Sequence, residues 1–200
     1  MARGRVREGA GVIARGVIAF LLSAPGLAAQ GAEIRPLLKA GLDLGGDTLL
    51  TVAFTDGDTK EIKANDGFYF GGGLAVIDAE RRMEYHLTAA FKYGLIAAEN
   101  GDVEWTRFPI EALAFYRLAR LRLGGGLAYH VSPRIETSGA VGNPDVKFKN
   151  ALGAVLQADW LVSEKIALGG RYTILEYDVK GDFSGSAKSN GFGISFSINF

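Results

Sequence analysis

The chain closes on Phe192-Gly-Ile-Ser-Phe-Ser-Ile-Asn-Phe200. Phe192, Ile194, Phe196, Ile198 and Phe200 fall at every second position, with Gly193, Ser195, Ser197 and Asn199 between them. Successive side chains of a strand point to opposite faces, so this stretch reads as a β-strand with one bulky apolar face and one small polar face. The same alternation recurs upstream. Ile166, Leu168, Tyr172 and Ile174 oppose Ala167, Gly169, Arg171 and Thr173. Leu152, Ala154, Leu156, Ala158 and Trp160 oppose Ala151, Gly153, Gln157 and Asp159. Leu121, Leu123, Leu127, Tyr129 and Val131 oppose Arg122, Gly124, Gly126, Ala128 and His130. Phe108, Ile110, Ala112, Ala114 and Tyr116 oppose Arg107, Glu111 and Arg117. Tyr85, Leu87, Ala89, Phe91 and Tyr93 oppose Glu84, His86, Thr88, Ala90 and Lys92. Phe68, Phe70, Leu74 and Val76 oppose Tyr69, Gly71, Gly73 and Ala75, and Leu38, Ala40, Leu42 and Leu44 oppose Lys39, Gly41, Asp43 and Gly45.

Eight such segments predict an all-β chain, and the orientation of the bulky face decides its class. An eight-stranded barrel has little room inside. Phe68, Phe70, Phe91, Phe108, Tyr116, Trp160 and the last strand's large residues could not all fit there. Turned outward they meet lipid, leaving glycines and charges in a narrow lumen. A soluble lipocalin-like barrel has the opposite arrangement and is disfavoured. In hydrocarbon every backbone polar group must be paired, so the sheet must close. The expectation is an eight-stranded antiparallel transmembrane β-barrel. Phe68, Tyr93, Phe108, Tyr129 and Phe192 are expected in an external aromatic girdle, and Tyr85, Tyr116, Trp160 and Phe200 in a periplasmic one.

Connections alternate in length, as such barrels require. Short ones are expected near Asp78–Arg81, Leu118–Arg120 and Val162–Glu164, and long external ones near Gly46–Asp66, Ala97–Asp102, Ser132–Val146 and Val179–Asn190. The alternation weakens from Leu175 to Asp178, where the strand is expected to leave the bilayer. Residues 1–29 read as a cleavable signal peptide: Arg3, Arg5, Arg7 and Arg15, a short apolar run from Val17 to Leu22, the Pro25-Gly26 break, then Ala28 and Ala29. Residues 30–200 are then the barrel domain. The 22 basic and 22 acidic residues argue against nucleic-acid binding. With no cysteine there is no disulfide framework, thiolate catalysis or cysteine metal site.

From Ile34 to Phe200 the chain resembles the small outer-membrane β-barrel proteins, the OmpA-, OmpX- and OmpW-like group known as the porin-family β-barrel domain. The resemblance rests on the terminal strand, on Lys39-Ala-Gly-Leu-Asp-Leu-Gly-Gly-Asp-Thr48, and on the segment from Leu123-Gly-Gly-Gly to His130-Val-Ser-Pro133. It implies residence in the cell outer membrane among its lipid and lipopolysaccharide. It also implies delivery by periplasmic chaperones and an assembly signal for the barrel-assembly machinery at Phe192, Ile194, Phe196, Ile198 and Phe200. A monomer without cofactor or metal is expected. The fold hosts adhesins, anchors, channels and enzymes, so it does not choose among them.

The chemistry-bearing candidates lie on the polar face. Arg35, Lys39, Arg107, Arg117, Arg122 and Arg171 are expected to share the lumen with Asp43, Glu84, Glu111 and Asp159. A salt-bridged plug is favoured, because unpaired charge in so narrow a space is costly. The alternative is a narrow pore for small solutes, of OmpW type. His130, Ser132 and Glu136 match in residue type the machinery of outer-membrane lipid A deacylases, but His130 falls on the inward face, away from any lipid substrate. His86 is expected to bond lumen carboxylates. Gly71–Gly73 and Gly124–Gly126 are read as relief of crowding in curved strands, since no lysine-serine follows them as in a phosphate loop. The segment 46–66 reads as a solvated hairpin around Asp56-Gly57. The functional expectation is a structural or surface-interaction role with narrow passive permeation at most, and no enzymatic activity.

Overall fold

The computed structural model describes residues 31–53, 58–98, 101–138, 145–181 and 185–200. The signal peptide expected over 1–29 lies outside these residues. The elements in chain order are β1 (Glu33–Gly45), β2 (Thr48–Ala53), β3 (Thr59–Lys63), β4 (Gly67–Ile77), β5 (Met83–Ala98), β6 (Gly101–Leu118) and β7 (Leu121–Thr137). They continue as β8 (Val146–Lys147), β9 (Ala151–Leu161), β10 (Ile166–Ile174), β11 (Glu176–Asp178), β12 (Ser186–Lys188) and β13 (Gly191–Asn199). Among the described residues no helix is long and apolar enough to cross a membrane.

Eight of these strands close a barrel in the order β6-β5-β4-β1-β13-β10-β9-β7, with β7 returning to β6. All neighbours are antiparallel, and the last strand zips onto the first in the register Leu38↔Ile198 and Lys39↔Ser197. No edge remains along this circuit, which satisfies the backbone without water. Leu38, Phe70, Leu127, Leu152, Leu156, Leu168, Phe192 (73% exposed), Ile194 and Phe196 all point outward. Phe68, Phe70, Phe91, Tyr93 and Phe108 form one continuous aromatic run across β4, β5 and β6. On the other face, Asp43, Glu84, Glu111, Arg122, Asp159 and Arg171 are buried. The wall is therefore inside-out relative to a soluble protein.

Two external regions differ from the sequence expectation. The expected break at Ser132 does not end the strand, because β7 runs on to Thr137. The register passes from Phe108↔Val131 to Thr106↔Arg134, so β7 holds one extra residue there. Ser132 takes a φ of 49°, and its N–H donates to Asn150 Oδ1 at 3.0 Å. Pro133 lacks a donor, but a bulge needs none from it, and its carbonyl still accepts from Phe148 N at 2.9 Å. The second difference is the 46–66 segment. It does form the β2–β3 hairpin, but Val52 and Ile62 are buried rather than solvated, and Ala64 and Asn65 are fully enclosed. The hairpin folds across the barrel mouth.

Candidate functional site: the filled lumen and its external roof

The lumen is packed in tiers. Nearest the short turns, Glu84 Oε1 accepts from Arg122 Nη1 at 2.6 Å and from Asn199 Nδ2 at 3.1 Å, and pairs with His86 Nε2 at 2.7 Å. Arg122 Nε donates to Asp159 Oδ2 at 2.7 Å and its Nη2 to Ser197 Oγ at 2.9 Å. Arg117 stands 3.6 Å from Glu84. The Arg122 guanidinium lies over the Phe115 ring, 4.7 Å from its centroid. In the middle tier Glu111 binds both Lys39 and Arg171, the latter at 2.6 Å. Asp43 accepts from Lys92 at 2.6 Å and lies 3.6 Å from Arg171 Nε. Lys39 and Arg171 both face the Tyr69 ring. Each charge here meets an opposite charge, the condition under which buried ions are tolerated, although Asp43 Oδ1 and Arg171 Nε make no hydrogen bond.

The top tier is the roof. Arg107 Nη2 donates to the backbone carbonyls of Asn65 at 2.9 Å and Asp66 at 2.5 Å, and the guanidinium stacks 4.6 Å from the Trp105 ring. Trp105 Nε1 donates to Ala64 O at 3.1 Å, and Lys92 Nζ to Asn65 Oδ1 at 3.0 Å. Asp66 in turn accepts from Gly45 N at 2.8 Å and Lys63 N at 3.1 Å. The β2–β3 base is thus latched into the mouth from below. Above it Trp105, Phe148 and Tyr177 pack edge to face, with centroids 5.3 and 5.4 Å from Trp105. Val52, Ile62, Ile96, Val103, Ile135 and Leu175 complete this apolar core.

Bulk of this kind enters so small a bore because glycine stands opposite it. Gly41 pairs with Tyr69, and a Cβ on Gly41 would lie 2.4 Å from the Tyr69 hydroxyl. Gly193 pairs with Asp43, and a Cβ there would lie 1.8 Å from Asp43 Oδ1.

No protein-family model and no curated protein matches the sequence. Solved structures do match. Ail, the attachment invasion locus protein of Yersinia pestis, solved with the heparin analogue sucrose octasulfate, superposes with a TM-score of 0.55 at 10% identity, covering 85% of this chain and 99% of that one. Neisserial surface protein A superposes with a TM-score of 0.52 at 10% identity, covering 86% of this chain and all of that one. The fold is that of the small eight-stranded outer-membrane β-barrels. Its unbroken apolar exterior is the surface that a bilayer-spanning barrel of this type presents to lipid.

Within this barrel the charges expected in the lumen do not all play one part. Lys39, Asp43, Glu84, Glu111, Arg117, Arg122, Asp159 and Arg171 meet in the lower two tiers. Arg107 joins the roof and pairs with carbonyls instead of a carboxylate. Arg35 stays at the short-turn rim, where it binds Glu33 at 2.8 Å. His86 bonds Glu84 on its own strand, not a carboxylate across the sheet. The His130, Ser132 and Glu136 set does not converge. His130 is buried and hydrogen-bonded to the Tyr177 hydroxyl, Ser132 is exposed in the bulge, and Glu136 lies 3.4 Å from Arg134. Among the described residues no group of three or more His, Asp or Glu is placed to hold a metal ion.

Sequence reasoning left Lys92, Asn65 and Trp105 out of the network. Lys92 was within reach, since it continues the inward face of Glu84, His86 and Thr88. Asn65 lies in a connection, where no periodicity applies. Trp105 lies beyond the point where outward-apolar alternation holds.

Proposed function

We propose that this protein is a closed outer-membrane barrel that acts as a structural element and through its external surface, without enzymatic activity and without steady solute conduction. One observation carries the reading: the bore is filled by mutually paired ions and roofed by a latched hairpin under an aromatic core. Opening it would require breaking the Glu84–Arg122–Asp159 and Lys39–Glu111–Arg171 sets and removing Ala64–Asp66 from the mouth. The separation of His130 from Ser132 supports a non-enzymatic role. An export signal over residues 1–29 and an assembly signal at Phe192, Ile194, Phe196, Ile198 and Phe200 belong to the same reading. So do transit by periplasmic chaperones and the barrel-assembly machinery, a lipopolysaccharide-containing surrounding membrane and a monomeric state. The outward alternation of the terminal strand is what supports the assembly signal.

Reconstitution in planar bilayers tests the closed state. The expected record is a baseline with rare, brief openings. Large, steady single-channel currents would transfer the protein to the narrow-channel class.

A further inference from the structure

Just above the external end of the lipid belt, one wall carries three cations in register. Arg134 of β7 and Lys147 of β8 are direct cross-strand partners. Phe148 bridges Val179, and Lys180 N donates to Lys147 O at 2.8 Å, so Lys180 lies opposite Lys147 on the same rung. All three are exposed, while Ile135 and Phe148 between them turn into the external core. Like charges directly opposite on neighbouring strands weaken a sheet. Lys147 and Lys180 form no ion pair with a described residue, and Arg134 is held by Glu136 at 3.4 Å and Thr106 Oγ1 at 3.2 Å. The neighbouring rung behaves differently: Lys149 faces Asp178 at 3.6 Å. The row is therefore a departure from local practice.

Its height is informative. Thr106, the partner of Arg134, is two residues beyond Phe108 in the aromatic belt, about 7 Å along the strand. That is the level of headgroup phosphates flanking the hydrocarbon. Below the row, on the same wall, Leu127, Leu152, Ala154 and Ile174, with Glu176, Lys188 and Asn190, line a mainly apolar groove of about 510 Å³. Two register pairs further from the membrane, Glu104 stands opposite Glu136. A soluble polyanion descending from outside meets these carboxylates first. A phosphate already in the membrane plane reaches the cations from the side.

We infer that Arg134, Lys147 and Lys180 bind the phosphorylated headgroup of an outer-leaflet lipid, with an acyl chain along the groove of Leu127, Leu152, Ala154 and Ile174. This rests on the outer-membrane placement, with these strand ends facing outward from the cell. Native mass spectrometry of the refolded full barrel in detergent tests it, with diphosphoryl lipid A as the probe. One lipid should be retained, and its dephosphorylated form should not. The Lys147→Glu/Lys180→Glu variant should lose on the order of tenfold or more in retention. Lys147→Gln/Lys180→Gln should fall between it and the parent, and serves alone if the acidic variant does not fold. Arg120→Glu/Lys165→Glu, with the same charge change at the periplasmic turns, should retain the lipid fully. The heat-modifiable gel band of each sample reports the barrel fold separately from lipid retention. Equal retention by the Lys147/Lys180 variants, equal retention of the dephosphorylated lipid, or capture of a heparin oligosaccharide in preference to the lipid would each overturn the assignment.

Discussion

Two stretches of the same tube fill their interiors by opposite rules. Inside the lipid belt the enclosed side chains are Lys39, Asp43, Glu84, Glu111, Arg122, Asp159 and Arg171, and the outward ones are Leu, Ile and Phe. Beyond the belt the enclosed side chains are Val52, Ile62, Trp105, Ile135, Phe148 and Tyr177, and Glu104, Arg134 and Lys147 turn outward. The backbone ladder runs through both, and what changes is the solvent outside the wall. Facing lipid, the wall gains from apolar residues outside, so its polar groups must find one another inside. Facing water, the ordinary burial rule returns. The inversion falls at the β7 bulge at Ser132, where the alternation shifts phase.

The largest effects should come from cutting each interior where it is most connected. Glu111→Ala strands Lys39 and Arg171 in the lumen and should cost about 3–5 kcal/mol, read as a lower unfolding midpoint in denaturant for the whole lipid-embedded barrel. Trp105→Ala removes a bulk contribution of similar size, about 3–5 kcal/mol, but its consequence should be local. Hydrogen exchange should quicken in β2, β3 and β8 while β1 and β13 remain protected and the gel shift survives. If both variants unfolded the barrel alike, the two regions would be one cooperative unit and the contrast would fail. Phe196→Asp places a charge in lipid on the terminal strand and should cost less than the about 2–4 kcal/mol of an Arg or Lys near the midplane. Its heat-modifiable band should be lost, and normal surface levels would count against the assigned face. Ser132→Ala should change stability by less than about 0.5 kcal/mol and leave lipid A acylation as it was.

The belt was readable because period-two alternation survives without knowledge of pairing. Phe192 through Phe200 declares both the strand and its outward face. The tiers were less readable. Which acid meets which base depends on the register of strands far apart in the chain, such as Lys39 with Glu111 or Arg122 with Glu84. Nor does periodicity show that the inward Tyr69 and Phe115 have Gly41 and Gly124 opposite them, which is what makes room for their rings. The roof was hidden for a different reason. Beyond the boundary its residues still alternate, with polarity reversed, so segments such as 132–137 carried no lipid-facing signature and read as loop.

The chain contains two tryptophans, and they sit one in each region. Trp160 is 54% exposed on the lipid-facing wall, and Trp105 is fully enclosed in the external core. Fluorescence of the Trp105→Phe and Trp160→Phe variants, refolded into vesicles of brominated lipid, separates them directly. Trp160 alone should be strongly quenched by the bromine on the acyl chains, and Trp105 alone should be quenched by neither bromolipid nor aqueous iodide. Quenching of Trp105 by bromolipid, or of Trp160 by iodide and not by bromolipid, would contradict the account.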